Sequence, residues 1–354
     1  MTLPTKLTGI RLIAKEVGVS TATVSRALNE DTAHKVKEST RSSILELADK
    51  MHFRLNPGAR IMQRGLSPTI GIIVPRKDAV FESEFYGRFL GGVISATAAT
   101  SWDVRILTTG RDPLKFVEEL RAAGRDCSGL ICLGTPLSEG TLVELENYRR
   151  PLVLLKSVLP LDYSIESGSF HVIGTDNFGG GVSASRHLCE LGHRKIGLIL
   201  GPDASRDFVE RERGYFEGLR QFGIEIDPSL SFRESYDDQS GRHGCEYFLN
   251  MAERPTALLC ANDSLAFGAL DYAKSMGVNC PNDISIVGFD DGLLANCCSP
   301  KLTTVTQPLA EMAAQAVEVI MNNIEAPSMM SLGELIELPT TLSIRESSHS
   351  LTAV

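Results

Sequence analysis

From residue 69 onward the chain alternates two short-range patterns, and this alternation limits its architecture more than any other feature. A continuous apolar run at 70–75 is followed by similar, mostly apolar ones at 104–107, 129–133, 152–155, 172–174, 196–200, 257–260 and 284–288. They are short and rich in Ile, Leu and Val, as strands buried on both faces must be. Helical stretches separate most of them, at 86–99, 114–123, 180–191, 211–222, 241–251 and 264–276. Such alternation builds βαβ units and parallel sheets. The strands outnumber one comfortable sheet, so two lobes are expected.

The N-terminal stretch follows a different rule. Ile10, Ile13, Ala14 and Val17 stand at i, i+3, i+4 and i+7, one stripe of an amphipathic helix. Gly18 then permits a turn that a Cβ would make costly. Ser20 suits the N-cap of a second helix, its hydroxyl accepting from a free backbone N–H. Val24 and Leu28 of that helix face the first, which leaves Thr21, Ala22, Ser25 and Arg26 outward. A third stripe follows at Ile44, Leu47, Ala48 and Met51. This is the pattern of a helix-turn-helix headpiece, whose second helix enters the DNA major groove. A plain helical hairpin in a larger core is the bland alternative.

Charge separates the two regions. Residues 1–66 carry eleven Lys/Arg against six Asp/Glu, a surplus of five, in a chain whose net charge is −9; the remainder therefore carries −14. A basic head on an acidic body suits a phosphate-contacting module joined to a sensor. The N-terminus shows no apolar signal-peptide core and no run is long enough to span a bilayer, so a cytoplasmic protein with no membrane association is expected. The eight cysteines show neither Cys-x-x-Cys nor metal spacing with His, and read as reduced structural thiols; no metal or cofactor is expected.

Behind this headpiece a set of short motifs follows in order: Asp176-Asn177 with Gly179, Leu191-Gly192-His193-Arg194-Lys195-Ile196, Arg211-Glu212-Arg213-Gly214-Tyr215, Asn262-Asp263, Gly288-Phe289-Asp290-Asp291, and Leu302-Thr303-Thr304-Val305 with Gln307. With residues 19–29 they resemble the lactose/galactose-repressor family of bacterial transcription regulators, and the resemblance covers almost the whole chain. It implies an α/β protein: a helix-turn-helix headpiece plus a two-lobed, periplasmic-binding-protein-like body of doubly wound parallel sheets. The implied divisions are a headpiece at 8–55, a hinge helix and linker at 56–68, and a body at 69–348 for effector binding and dimerisation. Lobe one takes 69–174 and 305–334; lobe two takes 175–304 and 335–348, including a C-terminal strand around 335–344. Three chain crossings join the lobes, and an effector lies between them.

The resemblance also assigns roles. On the DNA side it points to Thr21, Ala22, Thr23, Ser25, Arg26, Asn29, Arg60 and Met62. Arg can donate twice to guanine, and Ala or a Thr methyl can touch thymine. For Arg26 a phosphate contact is the alternative. Met62 stands where the family carries its minor-groove wedge. On the effector side the positions are Phe85, Tyr86, Thr135, Ser205, Arg211, Tyr236, Asn262 and Asp290. A flat ring suits a sugar's C–H face or a base, and a guanidinium or carboxylate can engage two vicinal hydroxyls. For Arg211 the alternative is an internal salt bridge, and for Asn262 a helix N-cap.

Several positions depart from the family. Leu55 replaces a Pro that comes two residues later as Pro57, Lys37 replaces a Ser cap, and two extra residues lie between Pro75 and Phe85. Lys156 and Ser157 replace an acidic or amide residue and a ring. Lys156 either faces the cleft, favouring an acidic or phosphorylated ligand, or is a surface lysine.

The expected function is an effector-controlled transcription regulator, a repressor, binding double-stranded operator DNA as a homodimer and responding to a carbohydrate. A purine or other metabolite acting as corepressor is the alternative, and a transport-type sugar-binding protein a weaker one. The chain carries neither Gly-x-Gly-x-x-Gly after a strand nor Gly-x-Ser-x-Gly, so an enzyme is not expected. Gly179-Gly180-Gly181 after a strand could form a phosphate nest. The short polar tail after residue 348 leaves no room for a Leu-heptad helix, which favours a dimer over a tetramer.

Overall fold

The computed structural model describes residues 9–28, 33, 35–51, 53, 68–75, 84–109, 115–134, 137–148, 150–163, 170–202, 205–325 and 333–351. They form two compact units, a headpiece and a body.

The headpiece helices are α1 (Gly9–Val17), α2 (Thr21–Leu28) and α3 (Glu38–Lys50). Gly18 makes the turn at φ 74°. The Ser20 hydroxyl accepts from the Thr23 N–H at 3.0 Å, so the expected cap is formed. Ile13, Ala14, Val24, Ala27, Ile44 and Ala48 are buried together, flanked by Ile10, Val17, Leu28, Leu47 and Met51. Lys37 precedes α3 without capping it. Apart from Pro68, the expected hinge helix and linker lie outside the described residues.

The body runs β1 (Thr69–Pro75), α4 (Glu84–Thr97), β2 (Asp103–Thr109), α5 (Phe116–Ala123), β3 (Gly129–Cys132), α6 (Glu139–Glu146), β4 (Leu152–Leu155), β5 (His171–Thr175), α7 (Asn177–Glu190), β6 (Ile196–Leu200), α8 (Arg206–Gln221), β7 (Ser231–Arg233), α9 (Asp238–Leu249), β8 (Ala257–Cys260), α10 (Asp263–Ser275), β9 (Ser285–Asp290), β10 (Thr303–Thr306), α11 (Leu309–Glu325), β11 (Leu335–Leu338) and β12 (Thr341–Ser343). Two six-stranded sheets result, ordered β11-β5-β4-β3-β1-β2 and β12-β10-β9-β8-β6-β7. The pairings are parallel except β10 with β12. β3, β4, β5, β6 and β8 are buried along their whole length, which is why they read as unbroken apolar runs.

The chain passes between the sheets three times: from β5 to α7, from β10 to α11, and from β11 to β12. Two expected boundaries change here. The C-terminal strand expected wholly in lobe two is two strands. Leu335–Leu338 pairs with β5 in the first sheet, and Thr341–Ser343 pairs with β10 in the second. Pro339 between them has no N–H to donate, so one continuous ladder cannot form. The second crossing follows Thr306, because β10 still pairs with β9 there.

The apolar stripes also predict helices from 180 and 211, but α7 and α8 begin at Asn177 and Arg206. Their first turns are glycine-rich or charged and carry no stripe. The glycine run is no phosphate nest: Gly179 N–H donates to the Asp176 cap at 2.7 Å, and Gly180 and Gly181 are inside α7.

Gly181 and Gly214 face each other where α7 crosses α8. A Cβ on Gly214 would sit 2.2 Å from the Phe178 carbonyl oxygen, and one on Gly181 would sit 2.3 Å from that of Arg211. Both obstacles are backbone and cannot rotate away. Gly214→Ala is therefore expected to destabilise the protein by about 1–3 kcal/mol, read as a lower urea midpoint. An unchanged midpoint would mean that the two helices part without cost.

Candidate DNA-reading helix and effector cleft

In the headpiece, α2 has two unlike faces. Val24 and Ala27 are buried, whereas Thr21, Ala22 and Arg26 are exposed and Thr23 and Ser25 half-buried. The Thr23 hydroxyl lies 2.9 Å from that of Ser20, so part of its hydrogen-bonding capacity is used locally. The exposed residues lie in the N-terminal half and middle of α2, where a recognition helix presents its side chains. Asn29, Arg60 and Met62 lie outside the described residues, as does Thr135 of the body.

In the body, lobe two gathers its candidate residues beyond the C-terminal ends of β6, β7, β8 and β9, the crevice where open parallel sheets bind ligands. Arg211, on α8, is 3 % exposed. Its Nε donates to Asn177 Oδ1 at 2.8 Å and its Nη1 to the Ala261 carbonyl at 2.7 Å. Asp290 Oδ1 lies 3.4 Å from Nη1. The guanidinium also lies over the Phe289 ring, 3.8 Å from its centroid, and 4.7 Å from that of Phe208. The internal salt bridge that was the alternative for Arg211 is thus present, within a larger buried network. Asn262 likewise takes its alternative role. Its Oδ1 caps α10 by accepting from Leu265 N–H at 2.8 Å, and its Nδ2 donates to the Tyr236 carbonyl at 2.9 Å. Tyr236 stacks on Phe208 with centroids 4.0 Å apart. Ser205 immediately precedes α8 and makes no side-chain cap.

Lobe one contributes the first turn of α4. Phe85 and Tyr86 meet edge to face at 5.3 Å. Beside them Arg88 donates to the carbonyls of Asp290 and Asp291, each at 2.9 Å, and Glu84 accepts from Leu293 N–H at 2.6 Å. α4 therefore reaches across to the end of β9. Asp290 and Asp291 have φ of 130° and 54°, a region non-glycine residues rarely adopt.

A second set of interlobe contacts involves Lys156, which is neither a free cleft cation nor a surface lysine. It is 6 % exposed. Its Nζ lies 2.7 Å from Glu210 Oε2 of lobe two, and it also pairs with Glu337 of β11. Burial alone would pull its ammonium down, but the two carboxylates outweigh it and hold the pKa above the ordinary value. Arg206 pairs with Glu210 at 3.2 Å and donates to the carbonyls of Pro160 and Tyr163 at 3.1 and 3.2 Å. Sequence reasoning did not find Arg206, Glu210, Glu84 or Arg88 as side chains of this cleft. The i, i+4 pair of Arg206 and Glu210 behind Ser205 was the available signal for an earlier start to α8. Among the described residues no cluster of His, Cys, Asp and Glu could hold a metal ion, and no helix is long and apolar enough to cross a membrane.

Comparison with known proteins agrees with this two-part architecture. Residues 10–56 match the family described as bacterial regulatory proteins, lacI family, and residues 185–348 match a periplasmic binding protein-like domain. The chain is 30 % identical over 343 residues to the HTH-type transcriptional repressor CytR of Escherichia coli K12, covering 96 % of each chain. It is 29 % identical over 344 residues to the probable HTH-type transcriptional repressor ExuR of Bacillus subtilis, covering 97 % of this chain and 99 % of the relative. Among solved structures it resembles the transcriptional regulator CelR in complex with cellobiose, with a TM-score of 0.71 and 25 % identity, covering 96 % of this chain and all of that one. It also resembles a LacI family regulator from Enterococcus faecium with bound ribose, with a TM-score of 0.68 and 25 % identity over 80 % of this chain and all of that one.

Because Arg211 is buried among Asn177, Asp290 and two rings, its removal should be felt without any ligand. Arg211→Ala leaves the carboxylate and the Asn177 oxygen short of a partner, and is expected to cost about 3–5 kcal/mol of stability. Chemical denaturation of the ligand-free protein measures this. A change within about 0.5 kcal/mol, the ordinary range for a surface substitution, would return Arg211 to a purely ligand-contacting role.

Proposed function

Since the chain belongs to the lacI family of bacterial regulatory proteins, we propose that it is an operator-binding repressor whose two lobes enclose a small carbohydrate effector. It is a DNA-binding transcription regulator and not an enzyme. The observation that carries the operator reading is the outward face of α2, where Thr21, Ala22 and Arg26 are exposed beside the buried Val24 and Ala27. Thr21, Ala22 and Arg26 read base edges, with Thr23 and Ser25 on the flank; Asn29, Arg60 and Met62 complete the contact set. The basic surplus of residues 1–66 supplies the sequence-independent attraction to phosphate.

The effector reading is supported by aromatic and charged residues converging on one crevice: Phe85 and Tyr86 from lobe one, with Ser205, Arg211, Tyr236 and Asp290 from lobe two. Asn262 shapes the site through its cap, and Thr135 is the remaining candidate. The sugars bound to the CelR and Enterococcus faecium regulators favour a carbohydrate for this chain. An effector acts by binding one lobe arrangement better than the other, because only differential affinity shifts a two-state equilibrium. The active form is a cytoplasmic homodimer, which places two headpieces on a pseudo-palindromic site. Leu293 and Leu294, 76 % and 59 % exposed side by side, support a self-association surface on the body.

Three measurements test this. Selection of binding sites from random duplexes by the full-length protein is expected to yield a pseudo-palindrome. Arg26→Ala should then relax one base position per half-site by about 1–3 kcal/mol; a uniform loss across all single-base variants would make Arg26 a phosphate contact. Light scattering at micromolar concentration is expected to give the mass of a dimer, and a monomer or tetramer mass would contradict the assembly.

A further inference from the structure

Asp263, the first residue of α10, is buried and turns its carboxylate onto the strained end of β9. Its Oδ2 accepts from Gly292 N–H at 2.9 Å, and its Oδ1 from the Thr304 hydroxyl at 2.5 Å. The Thr304 oxygen in turn accepts from Asp291 N–H at 3.4 Å. One side chain thus holds residue 292 directly and residue 291 through Thr304, just past Asp290. Gly288 makes room for it: a Cβ there would stand 2.4 Å from Asp263 Oδ1. The groups around it are mostly acidic. Asp290 and Asp291 face it from the end of β9, with Tyr215 of α8, Cys260 of β8 and Cys298 near by. Glu84 and Arg88 of α4 reach the same turn. The cations here serve other groups: Arg211 pairs with Asp290, Arg345 with Asp291, and Arg88 donates to two carbonyls. Among the described residues none forms an ion pair with Asp263.

We propose that Asp263 is a proton-sensitive positioning residue of the effector cleft: its carboxylate fixes the 290–292 turn, and with it the Asp290 side chain, so that ligand binding weakens when Asp263 takes up a proton. The proposal rests on the effector-cleft reading above and adds a pH response to it. One donor points at each carboxylate oxygen, so the ionised form satisfies both. A protonated oxygen would have to donate toward a group that is itself donating. At Oδ2 that group is a backbone N–H, which cannot reverse. At Oδ1 it is the Thr304 hydroxyl, which can turn but would then need another acceptor. Either way the hold on the turn weakens. Asp290 and Asp291 stand at positive φ, a conformation that persists only while the surroundings enforce it. Asp290 carries the consequence into the cleft, because its carboxylate meets Arg211 and Gln307 there.

Opposing forces bring this proton within reach of neutral pH. Burial, then Asp290, and also Asp291 favour the neutral carboxyl, whereas the hydrogen bonds from Thr304 and Gly292 favour the ionised one. The first set prevails and pushes the group from 3.8 up to about 7. The folded protein therefore keeps a proton that the unfolded chain releases at lower pH. The stability this contributes is full below 3.8 and is lost as pH rises through about 7. Stability and ligand affinity then move in opposite directions with pH, a pairing that a merely structural carboxylate would not give.

The test uses the full-length protein with D-ribose, cellobiose and adenosine as probes, none of which titrates between pH 6 and pH 8. Calorimetric titration is expected to show at least one of them binding about fivefold more tightly at pH 8 than at pH 6. Asp263→Asn should abolish that difference and hold the affinity at the wild type's pH 6 level. Without ligand, it should raise the unfolding midpoint more at pH 8 than at pH 5. Thr304→Val removes one of the bonds that favour the ionised form, so the affinity profile should move to higher pH; Thr304→Ser, which keeps the hydroxyl, should restore it. The Thr304 pair carries the test if Asp263→Asn does not fold. Equal affinity at both pH values, a pH difference that survives Asp263→Asn, or a profile unmoved by Thr304→Val would each overturn this assignment while leaving the cleft reading intact. Binding of none of the three probes at either pH would overturn the cleft reading, and this assignment with it.

Discussion

The side chain of Gln307 occupies the place where the two lobes meet. It is 3 % exposed and lies in the second of the three crossings. Its Oε1 accepts from the Thr175 hydroxyl of the first crossing at 3.2 Å, and its Nε2 donates to Asp290 Oδ1 at 2.6 Å. The first and third crossings are tied in the same way. Asp176 N–H donates to the Leu338 carbonyl at 2.9 Å, and the Thr340 hydroxyl donates to the Asp176 carbonyl at 3.0 Å. Three separate segments therefore behave as one bundle. Each lobe is a hydrogen-bonded sheet with its own core, so rotation about this bundle is the motion that leaves both cores intact.

Around that hinge the lobes are joined mainly by polar contacts. Lys156, Arg206 and Glu210 form one group, and Glu84 and Arg88 with the end of β9 form the other. Buried ion pairs contribute little net stability compared with apolar packing, because desolvation offsets their attraction. Losing one partner is nonetheless severe, since the other stays buried and unpaired. Contacts of this kind specify an arrangement more than they strengthen it. They suit a surface that must come together in one register and still separate.

The legible parts of the sequence were those governed by neighbours along the chain. The Ile10, Ile13, Ala14 and Val17 stripe, the Ser20 cap and the unbroken strand runs each report on a structure closed within a few residues. What stayed hidden depends on distant partners. Nothing local to Lys156 reveals Glu337, 181 residues away. The 335–344 stretch looks like one strand until its two halves are seen pairing with different sheets around Pro339. The first turn of α8 escaped because Phe208 and Val209 stand among Arg206, Asp207 and Glu210, and two of those charged side chains, Arg206 and Glu210, find partners in the other lobe, so no apolar stripe marks it. Asn262 has a side chain suited equally to a cap and to a ligand, and only its geometry separates the two.

The strained end of β9 brings the hinge and the cleft into one account. Non-glycine residues held at positive φ cost about 1–3 kcal/mol each and persist only where their surroundings over-determine them. Asp290 and Asp291 meet that condition. Arg345 and Thr306 hold the Asp291 carboxylate at 2.6 and 2.8 Å, while Arg211 and Gln307 hold that of Asp290. All of these restraints lie within lobe two or the hinge. Arg88 is the exception: it reaches from lobe one to both strained carbonyls. Any motion that draws α4 away from β9 breaks those two bonds and leaves the strained peptide with fewer restraints. Closure of the lobes and the backbone conformation beside Asp290 are therefore coupled through Arg88, and a ligand touching either one acts on both.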